Sequence, residues 1–121
     1  MPIKSILIVD DSATDRQFLS DLLASNGYQV TTAQNADEAL AKAKELRPDL
    51  VLMDVVMPGQ SGFQATRTLS RDEATKKIPI IICTSKGQDT DKAWGIKQGA
   101  RDYIVKPVSA PELLAKISAL G

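Results

Sequence analysis

Ile6-Leu7-Ile8-Val9-Asp10-Asp11 and Leu50-Val51-Leu52-Met53-Asp54 share one pattern, an unbroken apolar run that stops at an acid. Two further runs, Ile80-Ile81-Ile82-Cys83 and Tyr103-Ile104-Val105, stop at Thr84-Ser85 and Lys106-Pro107. Apolar residues in succession, without polar alternation, suit strands covered on both faces, which is the environment of central parallel strands. Gln29-Val30-Thr31-Thr32-Ala33 mixes β-branched with polar residues and reads as the edge strand. Helical patterns fill the gaps. Phe18, Leu19, Leu22 and Leu23 recur at helix spacing behind a Ser12/Asp15 capping-box signature and ahead of Gly27. A second helix fits Ala36 to Leu46, before Pro48, and a third about Phe63 to Ser70. A fourth fits Asp89 to Gln98, interrupted by Gly95, with Ala93, Trp94 and Ile96 as its apolar face; the last carries Leu113, Leu114, Ile117 and Leu120 behind Ser109-Ala110-Pro111-Glu112. Five strands alternating with five helices predict an α/β fold, a doubly wound five-stranded parallel sheet in the order 2-1-3-4-5 with right-handed crossovers.

The 121 residues predict a single domain, 1-121, able to bury a core without disulfides or a structural metal. Fifteen basic and fifteen acidic residues give no net charge, hence no global field to gather nucleic acid or anionic lipid. The apolar runs are far shorter than a membrane span, and the N-terminus lacks a secretory-type stretch, so the expected setting is soluble and cytoplasmic, with neither membrane nor nucleic acid as partner. One cysteine forbids an internal disulfide, and the absence of histidine excludes the common zinc sites and every histidine-based triad. Cys83, inside an apolar run, reads as a small hydrophobe, and the charged stretch Ser70 to Lys77 as a solvated helix end and loop.

In such sheets the ligand site lies beyond the carboxyl ends of the strands, where strand order reverses. Asp10 and Asp11, Asp54, Thr84 and Lys106 all fall there, and the 2-1-3-4-5 order sets the first and third strands side by side, bringing three carboxylates into one pocket. Singly, each of these is an ordinary loop or strand-end residue; together they are a cluster of like charge that a divalent cation would neutralise. Oxygen ligands without histidine or thiolate favour Mg²⁺, with Mn²⁺ possible. Such an ion leaves positions for phosphate oxygens, Lys106 supplies a point charge and Thr84 a hydroxyl, so a phosphoryl group arriving at one carboxylate would be well held.

These motifs, Asp10-Asp11-Ser12, Asp54 with Met57-Pro58-Gly59 and Gly62, Thr84-Ser85, and Gly99-Ala100-Arg101-Asp102-Tyr103 running to Lys106-Pro107, resemble the receiver domain of two-component response regulators over essentially the whole chain. The resemblance implies that Asp54 is the phosphoacceptor and that Asp11 and Asp54 ligate Mg²⁺ with the backbone carbonyl of Val56, Asp10 helping through water. It also implies that Thr84, Lys106 and Tyr103 sense the phosphoryl group and that the Lys106-Pro107 bond is cis. Gly62-Phe63-Gln64-Ala65-Thr66-Arg67 and Asp91-Lys92-Ala93-Trp94-Gly95 onward to Tyr103 are similar to the PilH-type regulators of type IV pilus twitching motility. These residues lie outside the phosphorylation motifs and bear on partner choice; Trp94, alone on a short helix, is expected to be packing more readily than a binding anchor.

The expectation is therefore a phosphoacceptor rather than an enzyme, drawing its phosphoryl group from a histidine kinase or a histidine phosphotransfer domain. With the last helix ending the sequence, a stand-alone regulator acting through its own surface on a pilus motor or adaptor protein is expected; the alternative is a phosphate sink for a shared kinase. An aspartate-nucleophile phosphatase of the haloacid dehalogenase type would place its nucleophile after the first strand as Asp-x-Asp, where this chain has adjacent acids. A flavin module would need hydroxyls and amides there, not two carboxylates.

Overall fold

A computed structural model describes residues 2–120. The elements run β1 (Ser5–Val9), α1 (Ala13–Ser25), β2 (Gln29–Ala33), α2 (Ala36–Leu46), β3 (Leu50–Met53), α3 (Gly62–Arg71), β4 (Ile80–Thr84), α4 (Asp89–Lys97), β5 (Asp102–Val105) and α5 (Ala110–Leu120). The strands form one parallel sheet in the order β2-β1-β3-β4-β5, as the apolar runs predict.

Strand alternation accounts for the unbroken runs, because each face of the sheet has its own core. Ile6 and Ile8 of β1, Leu50 and Leu52 of β3 and Ile81 and Cys83 of β4 meet Leu19 and Leu23 of α1 and Leu113 and Ile117 of α5. The intervening residues Leu7, Val9, Val51 and Met53 point the other way, against Ala36, Ala39 and Ala43 of α2 and Ala65 and Leu69 of α3. Both faces of the central strands exclude water, so an apolar residue is favoured at every position. The small side chains of α2 let its backbone lie close to the sheet.

Four helices begin on the cap that their sequence prescribes: Ser12, Asn35, Ser61 and Ser109 each accept the amide of the residue three further on. The capping box at α1 is only half made. Ser12 Oγ takes the Asp15 amide at 3.2 Å, but the Ser12 amide donates to Asp10 Oδ1 at 2.9 Å, and the Asp15 carboxylate turns towards Lys106.

The fourth helix departs from its expected face. Ala93, Trp94 and Ile96 all point into solvent, and of the nine residues of α4 only Gly95 is buried. A Cβ built at Gly95 would lie 2.8 Å from Ile82 Cδ1 and 3.1 Å from the Tyr103 ring, so the helix backbone itself rests on those side chains and a larger residue would have to displace them. The helix is attached through a bare backbone rather than an apolar stripe.

Asp49 secures the entry to the sheet. Its Oδ2 accepts the amides of Lys4 (2.8 Å) and Ser5 (3.0 Å), bonds that hold the carboxyl below its ordinary value. A group whose pKa falls on folding adds stability that is complete above the unfolded value and lost as pH drops through the folded one. Asp49→Asn keeps an acceptor but loses the charge, and because solvent screens this group the cost at pH 7 should be about 0.5 kcal/mol. The deficit should shrink as the buffer is taken below pH ~3.8, which urea midpoints at neutral and acid pH will read.

Candidate phosphoacceptor site

The ladder continues one residue beyond the strands and thereby fixes the carboxylates: the Asp10 amide donates to the Ala33 carbonyl at 3.1 Å and the Asp54 amide to the Val9 carbonyl at 2.9 Å. Asp10, Asp11 and Asp54 each offer a carboxylate oxygen within 4.8 Å of the others. Asp10 and Asp54 are buried and Asp11 is exposed, so the cluster opens to solvent on one side.

Lys106 reaches into this group from the end of β5, where its amide donates to the Thr84 carbonyl at 2.8 Å. Its Nζ lies 2.7 Å from Asp10 Oδ2, 2.9 Å from Asp15 Oδ2 and 3.0 Å from Asp54 Oδ2. Burial alone would lower the lysine pKa, but the hydrogen bonds to Asp10, Asp15 and Asp54 outweigh it and hold the group above its ordinary value, so the ammonium is charged. Burial pushes the Asp10 carboxyl up, countered by Lys106 and by the Ser12 amide, while the charge of Asp54 raises it further. The Lys106-Pro107 peptide is cis.

Two residues enter the site that the sequence did not announce. Asp15 had a sufficient local role as a helix-capping residue, and its pairing with a lysine 91 positions away appears only when Lys106, just beyond β5, is brought across the carboxyl ends of the strands to the start of α1. Arg16 donates Nη1 to the Asp10 carbonyl at 2.7 Å, fixing the turn that carries both acids. No local motif marks either contact.

The other expected residues are placed as follows. The Val56 amide donates to Asp54 Oδ1 at 3.0 Å, which folds the loop after β3 over the carboxylate. Thr84 is fully buried, and its Oγ1 is 3.5 Å from the Lys86 amide. Tyr103 is not joined to the carboxylates. Its ring packs with Val55, Ile82 and Ala100, and its hydroxyl donates to the Lys86 carbonyl at 2.6 Å; burial pushes that hydroxyl up to about 12. Cys83, beside Thr84, is inert at neutral pH because burial pushes its thiol up to about 12.

Asp10, Asp15 and Asp54 surround one ammonium and Asp11 lies beside Asp10 and Asp54, leaving an excess of negative charge on an all-oxygen donor set. Those residues fit a small divalent cation. When bound, such an ion would neutralise charge on phosphoryl oxygens during transfer.

This arrangement belongs to one family of signalling domains. The response regulator receiver domain model matches residues 6–118, and the chain is a member of that family, whose domains bind Mg²⁺ through an acidic pocket and interact with histidine kinases or phosphotransfer proteins. Among individual proteins it is similar to protein PilH of Pseudomonas aeruginosa, 53% identical over 115 residues that cover 95% of either chain. It is also 44% identical to the phosphate regulon transcriptional regulatory protein PhoB of the same organism, of whose length it spans 51%. Among solved structures, the chemotaxis protein CheY4 of Vibrio cholerae superposes with a TM-score of 0.91 at 34% identity, covering 98% of this chain and 99% of that one. Among the described residues no helix is long and apolar enough to cross a membrane.

Proposed function

We propose that Asp54 accepts a phosphoryl group from the phosphohistidine of a histidine kinase or phosphotransfer domain, and that the protein acts in the control of type IV pilus twitching motility. The observation that carries the reading is the convergence of Asp10, Asp11 and Lys106 on the buried Asp54 carboxylate. A chain without histidine needs a partner to supply that donor. An Asp54 carboxylate oxygen attacks phosphorus, the bond from phosphorus to the partner's imidazole nitrogen breaks, and the electron pair leaves with that nitrogen. An acyl phosphate on Asp54 is the product.

Each side chain has a defined part in this step. Asp10, Asp11 and Asp54, with the Val56 carbonyl, would hold Mg²⁺, or Mn²⁺ in its place. Lys106, already at Asp54 Oδ2, shifts to a phosphoryl oxygen and balances the incoming charge of roughly −1.5 to −2. The Thr84 hydroxyl donates to another, and Tyr103, beyond it, responds to that movement. The pilus assignment rests on the similarity to PilH along nearly the whole of both chains. The setting is the cytoplasm, where kinase and ATP are found.

Incubation with a pilus-type histidine kinase, labelled ATP and Mg²⁺ should transfer label to the wild-type chain and none to Asp54→Ala. Label retained by that variant would place the acceptor elsewhere. Chelation of the divalent ion after the kinase has been labelled should halt transfer, separating its role here from its role in the kinase.

A further inference from the structure

The two stretches of sequence that phosphoryl transfer does not use meet in a groove of about 480 Å³ between α3 and α4. Phe63, Arg67 and Arg71 line it from α3, and Trp94 and Gln98 from the α4 side. Trp94 is 47% exposed, with Lys97 Nζ 5.8 Å from its ring centroid, so about half of the side chain packs against the protein and half is open to a ligand.

The charge of this groove is one-sided. No carboxylate lines it, and among the described residues neither Arg67 nor Arg71 makes an ion pair. The two arginines are four positions apart on one helix, hence on one face and about 6 Å apart along its axis. Alternate side chains of an extended peptide are spaced about 6.7 Å on a common face, so a Glu-x-Glu segment presents two carboxylates at nearly the axial spacing of the two arginine positions. An apolar side chain next to those acids would reach Trp94 and Phe63.

We infer that this groove docks an acidic, extended segment of a partner protein, with two carboxylates on Arg67 and Arg71 and an apolar residue against Trp94. The surface is separate from the phosphoacceptor site. It is linked to the interior through Gly95, whose backbone rests on Ile82 and the Tyr103 ring. A chain with no net charge lacks the basic field for nucleic acid, and the exposed aromatic wall favours a ligand with an apolar part.

Trp94 is the chain's one tryptophan, so its fluorescence reports occupancy directly. The probes are ten-residue peptides containing Glu-x-Glu, with leucine or phenylalanine placed in turn at every other position, and the same set with glutamine for glutamate. At least one acidic peptide should saturate the signal with a micromolar dissociation constant, and its glutamine counterpart should bind at least tenfold more weakly. Arg67→Glu with Arg71→Glu should lose the acidic peptide and gain a lysine counterpart, while its unfolding midpoint stays at the wild-type value because both side chains are exposed. Asp54→Ala should bind the peptide as wild type does, which keeps this result apart from the fate of the phosphotransfer reading. The inference fails if no acidic peptide saturates the signal, if the glutamine set binds equally well, or if ATP saturates it in their place. Self-association in sedimentation, abolished by the double variant, would assign the groove to a second copy and also overturn it.

Discussion

Lys106→Met should lower the stability of the metal-free protein by about 3 kcal/mol, since removing one member of a buried ionic group leaves the remaining charges uncompensated. The ammonium is the shared partner of Asp10, Asp15 and Asp54, and its side chain is only 17% exposed, so little water screens the repulsion it relieves. For a domain of this size that is a fall of about 12 °C in the unfolding midpoint. Mg²⁺ should then do more for the variant than for the wild type, because it replaces a missing positive charge. A ligand that binds only the folded state adds about 2.7 kcal/mol at one hundred times its dissociation constant, and tighter binding to the variant enlarges that at equal concentration. Asp11→Asn serves as the control. It removes a carboxylate that Lys106 does not contact, so the metal-free midpoint should hold or rise while the response to Mg²⁺ is lost. Thermal melts with and without the ion check both statements, and a midpoint for Lys106→Met within 2 °C of wild type would mean that the ion pairs contribute no net stability.

Gly62→Ala should cost still more, about 4 kcal/mol, and should disable the site even where the chain still folds. A Cβ at this position would lie 2.0 Å from the Asp54 carbonyl oxygen and 2.6 Å from the Val55 Cα. Both obstacles are backbone, so no side-chain rotation relieves them, and α3 must move away from β3 by more than 1 Å. The Gly62 amide also donates to the Val55 carbonyl at 3.3 Å, which ties the first turn of α3 to the segment after Asp54. Gly59→Ala gives the contrast. Gly59 has φ of +79° and nothing within 4 Å of an added Cβ, so only backbone strain of about 1 kcal/mol applies. Urea unfolding separates the two, and comparable losses at both positions would show that the close approach at Gly62 relaxes freely.

The sheet was legible because its physics is local to each strand. Burial on both faces writes an unbroken apolar run, and the exposed Gln29 and Thr31 of the edge strand break the pattern as one-sided burial requires. The carboxylates were legible because strand ends in a parallel sheet share one side. Contacts that no neighbour in sequence specifies were not. Asp15 looked complete as a capping residue, and nothing in its surroundings points to Lys106. The inward face of α4 was misread for a related reason: hydrophobicity marked Trp94 and Ile96, whereas the sheet contacts the residue between them, which has no side chain to carry a hydrophobic signal. Tyr103, apolar in a strand and yet hydrogen-bonded at its tip, satisfies both a core and a switch reading, and only the Lys86 carbonyl shows what its hydroxyl meets in this state.

A helix whose single buried residue is a glycine leaves the rest of its surface free to change. Lys92, Ala93, Trp94 and Ile96 are all exposed or half-exposed, so selection for folding falls chiefly on Gly95 and selection for recognition on the outer positions of α4. A duplicated copy of this gene could acquire a new partner through a few replacements on that helix while inheriting its sheet and its acidic pocket unaltered. Divergence within such a lineage should accumulate on the outside of α4 and spare Gly95.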